Sequence, residues 1–383
     1  MLTLNDYINN LEKSIRHHVL KIEFLRDEDE SPFYTITQDY NSQDIRTGGN
    51  ITTQNGSGKR RAISLVLNNM DGKFLPDIDG YLGIQRKIKL YLGEVINNEI
   101  IYFPKGVYVM ENPNVTSKPS DAYITLNCND KFSLLDGTND GELDYIWVIN
   151  SGTNLKTALQ TLLTDAGETK PIIFDSYYDS VTVPYTIIKE EGQTYGDIIL
   201  ELADFLSANV YYNEEGFLVF EKDYSDSIKG SLYDFDDSLN KGITYMSSDI
   251  TYNFSDVYNS VLVIGDNVNG NLARYVVENT DLTSSTAIGN IPKRTLVVYD
   301  DLISTDALAE QRGIYELKRV TKVLINGSME CGVMYHLDVD GVITLTDAHH
   351  GFNRKRLVIE GISYNFGSNT ITLNVADSFE LNL

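Results

Sequence analysis

The residues best suited to chemistry do not assemble into a motif. Four of the five histidines fall in adjacent pairs, His17-His18 and His349-His350. Neighbours in a strand point to opposite faces, so neither pair can close on one ion there. His-Glu-x-x-His is absent from the sequence, and no Cys/His group has zinc spacing. Gly56-Ser57-Gly58-Lys59 has the outline of a phosphate loop. Thr53, however, stands where its first glycine belongs, and Arg60 where a hydroxyl must meet Mg²⁺. It reads as a turn ahead of a strand. The Gly-x-Ser-x-Gly elbow is missing, as is a Gly-x-Gly-x-x-Gly after a strand. Asp77-Ile78-Asp79-Gly80 and Asp338-Val339-Asp340-Gly341 look like pieces of calcium loops without the closing Glu, and hairpin turns account for them. Any of the 55 acids could pair for glycoside hydrolysis, but nothing selects one pair. The expectation is no catalytic residue, no metal, no cofactor and no enzyme.

The elements around these residues are mostly strands. Leu4, Ile8, Leu11 and Ile15 recur at helical spacing behind Thr3 or Asn5, which predicts a short N-terminal helix. From His17 the period changes to two, and alternating strands follow over 17–25, 62–68, 88–92, 107–111 and 122–128. Regular turns between them predict a compact antiparallel barrel or sandwich over 1–134. Residues 135–222 read as a smaller α+β unit. It has one helix capped by Asn154, a second from about Thr194, and a hairpin across Asn213-Glu-Glu-Gly216. The stretch 223–245 is poor in apolar residues and reads as a linker or edge ribbon. Strands return near Ile250, a helix starts near Ser304, and the tail from about Lys322 is all strand.

The chain has 383 residues, enough for two or three domains with full cores. With 31 basic and 55 acidic residues its net charge is −24. That balance argues against gripping nucleic acid or an anionic membrane, because such affinity comes from cations. The N-terminus has no secretory pattern and no run approaches a membrane span, so a cytoplasmic site of synthesis is expected. Cys128 and Cys331 are expected to be buried thiols, with a long-range disulfide as the alternative. The 25 Tyr against one Trp suit amphipathic strand surface or a protein interface.

One local pattern repeats. Residues 124–134 read Ile-Thr-Leu-Asn-Cys-Asn-Asp-Lys-Phe-Ser-Leu, and 371–381 read Ile-Thr-Leu-Asn-Val-Ala-Asp-Ser-Phe-Glu-Leu. Strand alternation does not require the Asn-x-x-Asp-x-Phe that follows, so one β-unit is expected twice. Asp130, Phe132, Asp377 and Phe379 mark its equivalent ends. They are candidates for an inter-barrel or tube-docking interface, or for packing and capping within the chain. Three chains with two such units each would present six similar modules around one axis.

Several segments resemble baseplate hub proteins of tailed phages, phage-tail-like bacteriocins and related contractile particles. They are Arg60 to Gly72, Lys87-Ile-Lys-Leu-Tyr-Leu-Gly93, Phe103-Pro-Lys-Gly-Val-Tyr-Val109, Asp130 to Gly137, Tyr195 to Phe220, Tyr258 to Gly265 and Asp338 to Asp347. The resemblance implies a mainly β fold of two tube-protein-like antiparallel β-barrels, a middle α+β domain and an insertion. It would put the second barrel at 246–270 and 318–383, and the insertion, with one helix, at 271–317. It implies a homotrimer that closes the tail tube and adapts sixfold tube or distal-tail adaptor rings to a threefold spike or fibre. A central channel would hold tape-measure protein and pass DNA without specific binding, and the net charge of −24 suggests for it an acidic lining that lets DNA slide. The implied location is the virion tail, assembled in the host cytoplasm. Longer relatives carry a C-terminal fibre or cell-wall-degrading domain, for which this sequence has no counterpart. Two other readings stay open: a cell-wall hydrolase of the same particle, and a carbohydrate-binding adhesion module.

Overall fold

The computed structural model describes residues 2–13, 15–38, 44–76, 80–183, 185–222, 229–237, 244–268, 271–300, 302–321 and 325–378. Asp77, Ile78, Asp79 and Phe379 lie outside them. Thr3 caps the first helix, α1 (Leu4–Asn10), in a reciprocal capping box with Asp6. Its buried face is Tyr7 and Leu11, whereas Leu4 and Ile15, expected inward, are exposed. The helix ends too early for Ile15 to share its face.

The first unit continues with β1 (His17–Leu25), β2 (Pro32–Gln38), β3 (Ile45–Gln54), β4 (Arg61–Asn68), β5 (Lys87–Ile96), β6 (Glu99–Met110), β7 (Asn114–Lys118) and β8 (Asp121–Asp130). Strict alternation in β4 sends Ile63, Leu65 and Leu67 inward. The middle unit holds β9 (Trp147–Ile149), α2 (Leu155–Asp165), β10 (Ile173–Phe174), β11 (Ile187–Lys189), α3 (Tyr195–Leu206), β12 (Ala208–Tyr212) and β13 (Leu218–Lys222). Asn154 caps α2, and Thr194 caps α3 in a second capping box with Asp197. The apolar faces of the two helices form a separate core with the β12–β13 hairpin.

Next come β14 (Ser231–Asp236) and β15 (Ser247–Tyr252), then β16 (Ser260–Val268), β17 (Asn271–Glu278), β18 (Thr295–Tyr299) and α4 (Asp306–Thr321). The chain closes with β19 (Ile325–Gly332), β20 (Val342–Asp347), β21 (Phe352–Asn365) and β22 (Thr370–Asp377). One expectation changes here. β16 does not join the second barrel but forms its own three-stranded sheet with β17 and β18. Its Val261 and Val263 pack with Ala273, Val277, Ala309 and Leu317 beneath α4. Alternation identifies β16 as a strand but carries no information about which sheet takes it. The ribbon 223–245, in turn, contributes β14 as an edge strand against β20.

All strands of the first unit, with β14, β15 and β19 to β22, form one sheet over one core. The order β3-β4-β8-β6-β5 in the first half is matched by β15-β19-β22-β21-β20 in the second, every neighbouring pair antiparallel. The registers match as well. Ile63 lies opposite Cys128 as Gly327 lies opposite Val375, and Tyr108 opposite Ile88 as Leu357 opposite Ile343. The strands that repeat in sequence, β8 and β22, are thus the same strand of two like barrels. The halves join where the end of β21 pairs with β3, Tyr364 against Ile51 and Asn365 against Asn50. Gly361 opens this junction, since a Cβ there would lie 2.8 Å from Gln54 Oε1 and 3.0 Å from Asn374 Nδ2.

Candidate functional site

Buried charge collects where the units meet. Arg61 opens β4 in the first barrel with its side chain almost fully buried. Its guanidinium reaches Asp338 of the second barrel at 2.8 Å and Glu214 of the middle unit at 3.0 Å, and donates to the Tyr212 carbonyl. One fork-shaped cation therefore ties three units, which suits the fixed donor geometry of arginine. Behind it, Asp130 Oδ2 accepts from the amides of Arg60 at 2.7 Å and Arg61 at 2.9 Å, while Oδ1 accepts from Phe132 at 3.0 Å. Burial pushes the Asp130 carboxyl up, against the pull of those three N–H groups.

A second cluster faces the middle unit. Glu30 meets Lys131 at 2.7 Å, Lys87 at 2.9 Å and Lys170 at 3.0 Å, and Lys131 also meets Glu168 at 2.7 Å. Burial acts to raise the Glu30 carboxyl, but the lysines, Lys131 first, overcome it and hold the group down at about 2. A third contact binds barrel to barrel. Lys105 Nζ donates to the Leu337 carbonyl at 3.2 Å and to Tyr364 Oη at 3.3 Å. Burial pushes that ammonium down to about 8. Arg16 joins the buried Glu94 of β5 to the Val333 carbonyl. Asp130 is a candidate from the sequence, but Arg16, Arg61, Lys105 and Lys131 are not, because each is defined by partners 30 to more than 300 residues away.

Of the four candidates, Asp130 and Phe132 are both 1% exposed. Asp130 caps the 3-10 turn over 131–134, and Phe132 packs into the core of the middle unit. Within the chain these two residues cap and pack, the second of the two readings their sequence leaves open. Asp377 is 6% exposed and pairs with Lys355 at 2.7 Å.

The remaining chemistry is sparse. Burial holds His18 and His336 down to about 4, which keeps both neutral near pH 7. Ser248, His350 and Asp347 lie together, with His350 Nε2 3.0 Å from Ser248 Oγ and 3.9 Å from Asp347 Oδ2. In a proton relay the acid holds one ring nitrogen and the nucleophile the other. Here both face the same nitrogen, and Asp347 accepts instead from Tyr245 and from the amides of its own turn. Among the described residues no group of three or more His, Cys, Asp or Glu could hold a metal. Cys128 and Cys331 are free and buried, and burial pushes both thiols up. No helix among the described residues is long and apolar enough to cross a membrane.

Comparison with solved structures gives the fold its relatives. The tail protein of Neisseria meningitidis MC58 aligns over 94% of this chain and 97% of its own, at TM-score 0.64 and 11% identity. The 43 kDa tail protein of prophage MuSo2 from Shewanella oneidensis aligns over 94% and 98%, at TM-score 0.60 and 12% identity. The E. coli c3393 protein, a component of the type VI secretion system similar to T4 bacteriophage tail proteins, aligns over 90% and 77% at TM-score 0.52 and 10% identity. No family model and no curated protein sequence matches. The mainly β fold is thus one shared by phage and prophage tail proteins and by a component of the type VI secretion system.

Proposed function

We propose that this protein is a trimeric baseplate hub that closes a tail tube. In this role it joins sixfold tube or adaptor rings on one side to a threefold spike or fibre on the other. The observation that carries the proposal is the double barrel: two units of one strand order and register, fused side by side through β3 and β21. Three such chains supply six like units around an axis while keeping threefold symmetry elsewhere, which is what a sixfold-to-threefold adaptor needs. The buried ion network supports it from another side, since barrels locked to the middle unit by Arg61 and Lys131 would act as one rigid body under load.

The face of the sheet turned away from the core is offered to the channel through which tape-measure protein and DNA would pass. Over β4, β8, β15, β19 and β22 it carries Ser64, Thr125, Asn127, Ser328, Thr372 and Asn374 together with the acids Asp121, Asp249 and Glu330. Acids on this face would repel a polyanion and let it slide, as the acidic lining inferred from net charge requires. The proposed protein is structural rather than enzymatic and belongs to the particle's tail. Its mass in solution, followed by low-resolution imaging, tests the proposal. A ring of three copies with six peripheral lobes supports it; a ring of any other order overturns it.

A further inference from the structure

The internal junction has a counterpart that the chain leaves open. β21 pairs along β22 in two stretches, with a register shift between Ile359 and Gly361. In the first barrel the same path along β8 is divided between β6 and β7. Positions correspond one to one: Tyr364 faces Ile371 as Val115 faces Ile124, and Ser363 faces Thr372 as Asn114 faces Thr125. β7 is therefore the first barrel's version of the β21 end, and β15 is by the same matching the second barrel's version of β3. Within the chain the end of β21 pairs with β3. Among the described residues β7 pairs with β8 alone and β15 with β19 alone, so each offers an open edge. Exposed strand edges are sites for pairing with another chain.

We propose that β7 of one copy pairs antiparallel with β15 of the next, in the register that the β21–β3 junction dictates. That register sets Asn114 opposite Thr251, Val115 opposite Ile250 and Thr116 opposite Asp249. The inference rests on the hub reading for the number of copies, but not for the edges or the register. Three features that played no part in the matching agree with it. Val115 is 42% exposed, whereas the matched Tyr364 in the closed junction is 4% exposed; a missing neighbour accounts for the contrast. The register sets the core-side residues Val115 and Ile250 against each other and the polar residues Thr116 and Asp249 against each other, and a slip of one would cross the two faces. It also brings Asp249 diagonal to Lys118, an opposite-charge neighbour on the polar face.

The test is a paired-cysteine cross-link in the full chain, T116C with D249C in one molecule, under mild oxidation. Directly opposed residues lie within disulfide reach. The expected result is bands at two and three chain masses with little beyond, absent from either single variant. They should fall at least tenfold in T116C with I250C, whose second cysteine sits on the other face. A trimer by mass without the cross-link overturns the pairing and leaves the hub reading standing. A cross-linked ladder that runs on past three keeps the pairing and sinks the threefold hub. A monomer with no cross-link at high concentration also overturns the pairing, since two edges need no further partner.

Discussion

At the rim of the first barrel Asp130 spends its carboxylate on the amides of Arg60 and Arg61, whereas at the matched position of the second Asp377 turns to the ammonium of Lys355. The reason lies one strand over. Register aligns Lys355 with Gly106, which has no side chain to offer, so Asp130 must find its donors in the backbone. The same comparison explains Gly327, which takes the place of Ile63. A Cβ at Gly327 would lie 2.2 Å from the Asp249 carbonyl, so β15 hugs its neighbour more closely than β3 can. The sixth strand differs most. β1 runs antiparallel to β5 and β14 parallel to β20, yet Ile22 opposite Leu90 and Phe235 opposite Leu345 are both fully buried. The two barrels keep their apolar positions and registers and let the polar fastenings diverge. A repeated fold thus tolerates different chemistry at its rim as long as every buried polar group finds a donor or acceptor.

Arg61→Ala should break this arrangement most severely. It strands Asp338 and the Tyr212 carbonyl at the three-unit junction, with an expected loss of about 3 kcal/mol, read by urea unfolding at pH 7; a loss under 1 kcal/mol would remove the junction from the account. Asp130→Ala should cost about 2–3 kcal/mol, because it leaves buried amides without an acceptor, while Asp377→Ala, which releases a partly exposed lysine, should cost about 1 kcal/mol or less. Equal losses at the two sites would erase the contrast between the barrels. Lys105→Met should stabilise the protein by about 1 kcal/mol at pH 7 by removing a buried ammonium. In the parent, Lys105 has a folded value near 8 against an ordinary 10.5, so the unfolded chain binds more protons between them and stability should rise as pH climbs from 8 to 10.5. The variant should lose that rise. Glu30 works in the opposite range. Its folded value near 2 lies below the ordinary 4.5, so its contribution is complete above 4.5 and is lost as pH falls towards 2. Glu30→Gln should flatten that part of the acid unfolding curve, and an unchanged curve would mean that the lysine cluster is not what holds the middle unit.

The repeat was legible in the sequence because it lies within single strands, where alternation and a shared Asn-x-x-Asp end can be read residue by residue. The cap at Asn154 and the helix starts near Thr3 and Thr194 were legible for the same reason, since a cap is satisfied within three residues. The assignment of β16 failed because its sheet partners are chosen by α4, some forty residues on. Asp130 and Phe132 were legible as special with two readings open, and the choice of capping and packing needed the fold, since Phe132 packs into the core of the middle unit.

Local order was in the residues themselves: the period of each strand, the capped helix starts, the doubled β-unit and the shortage of catalytic motifs follow from contacts a few positions apart. Which strands share a sheet, how Arg61 and Lys105 acquire their partners and which edges, β7 and β15 among them, stay open among the described residues were decided only in three dimensions. Those outcomes depend on strands and charges hundreds of residues apart meeting over a common core, and no short window of sequence contains both sides of such a contact.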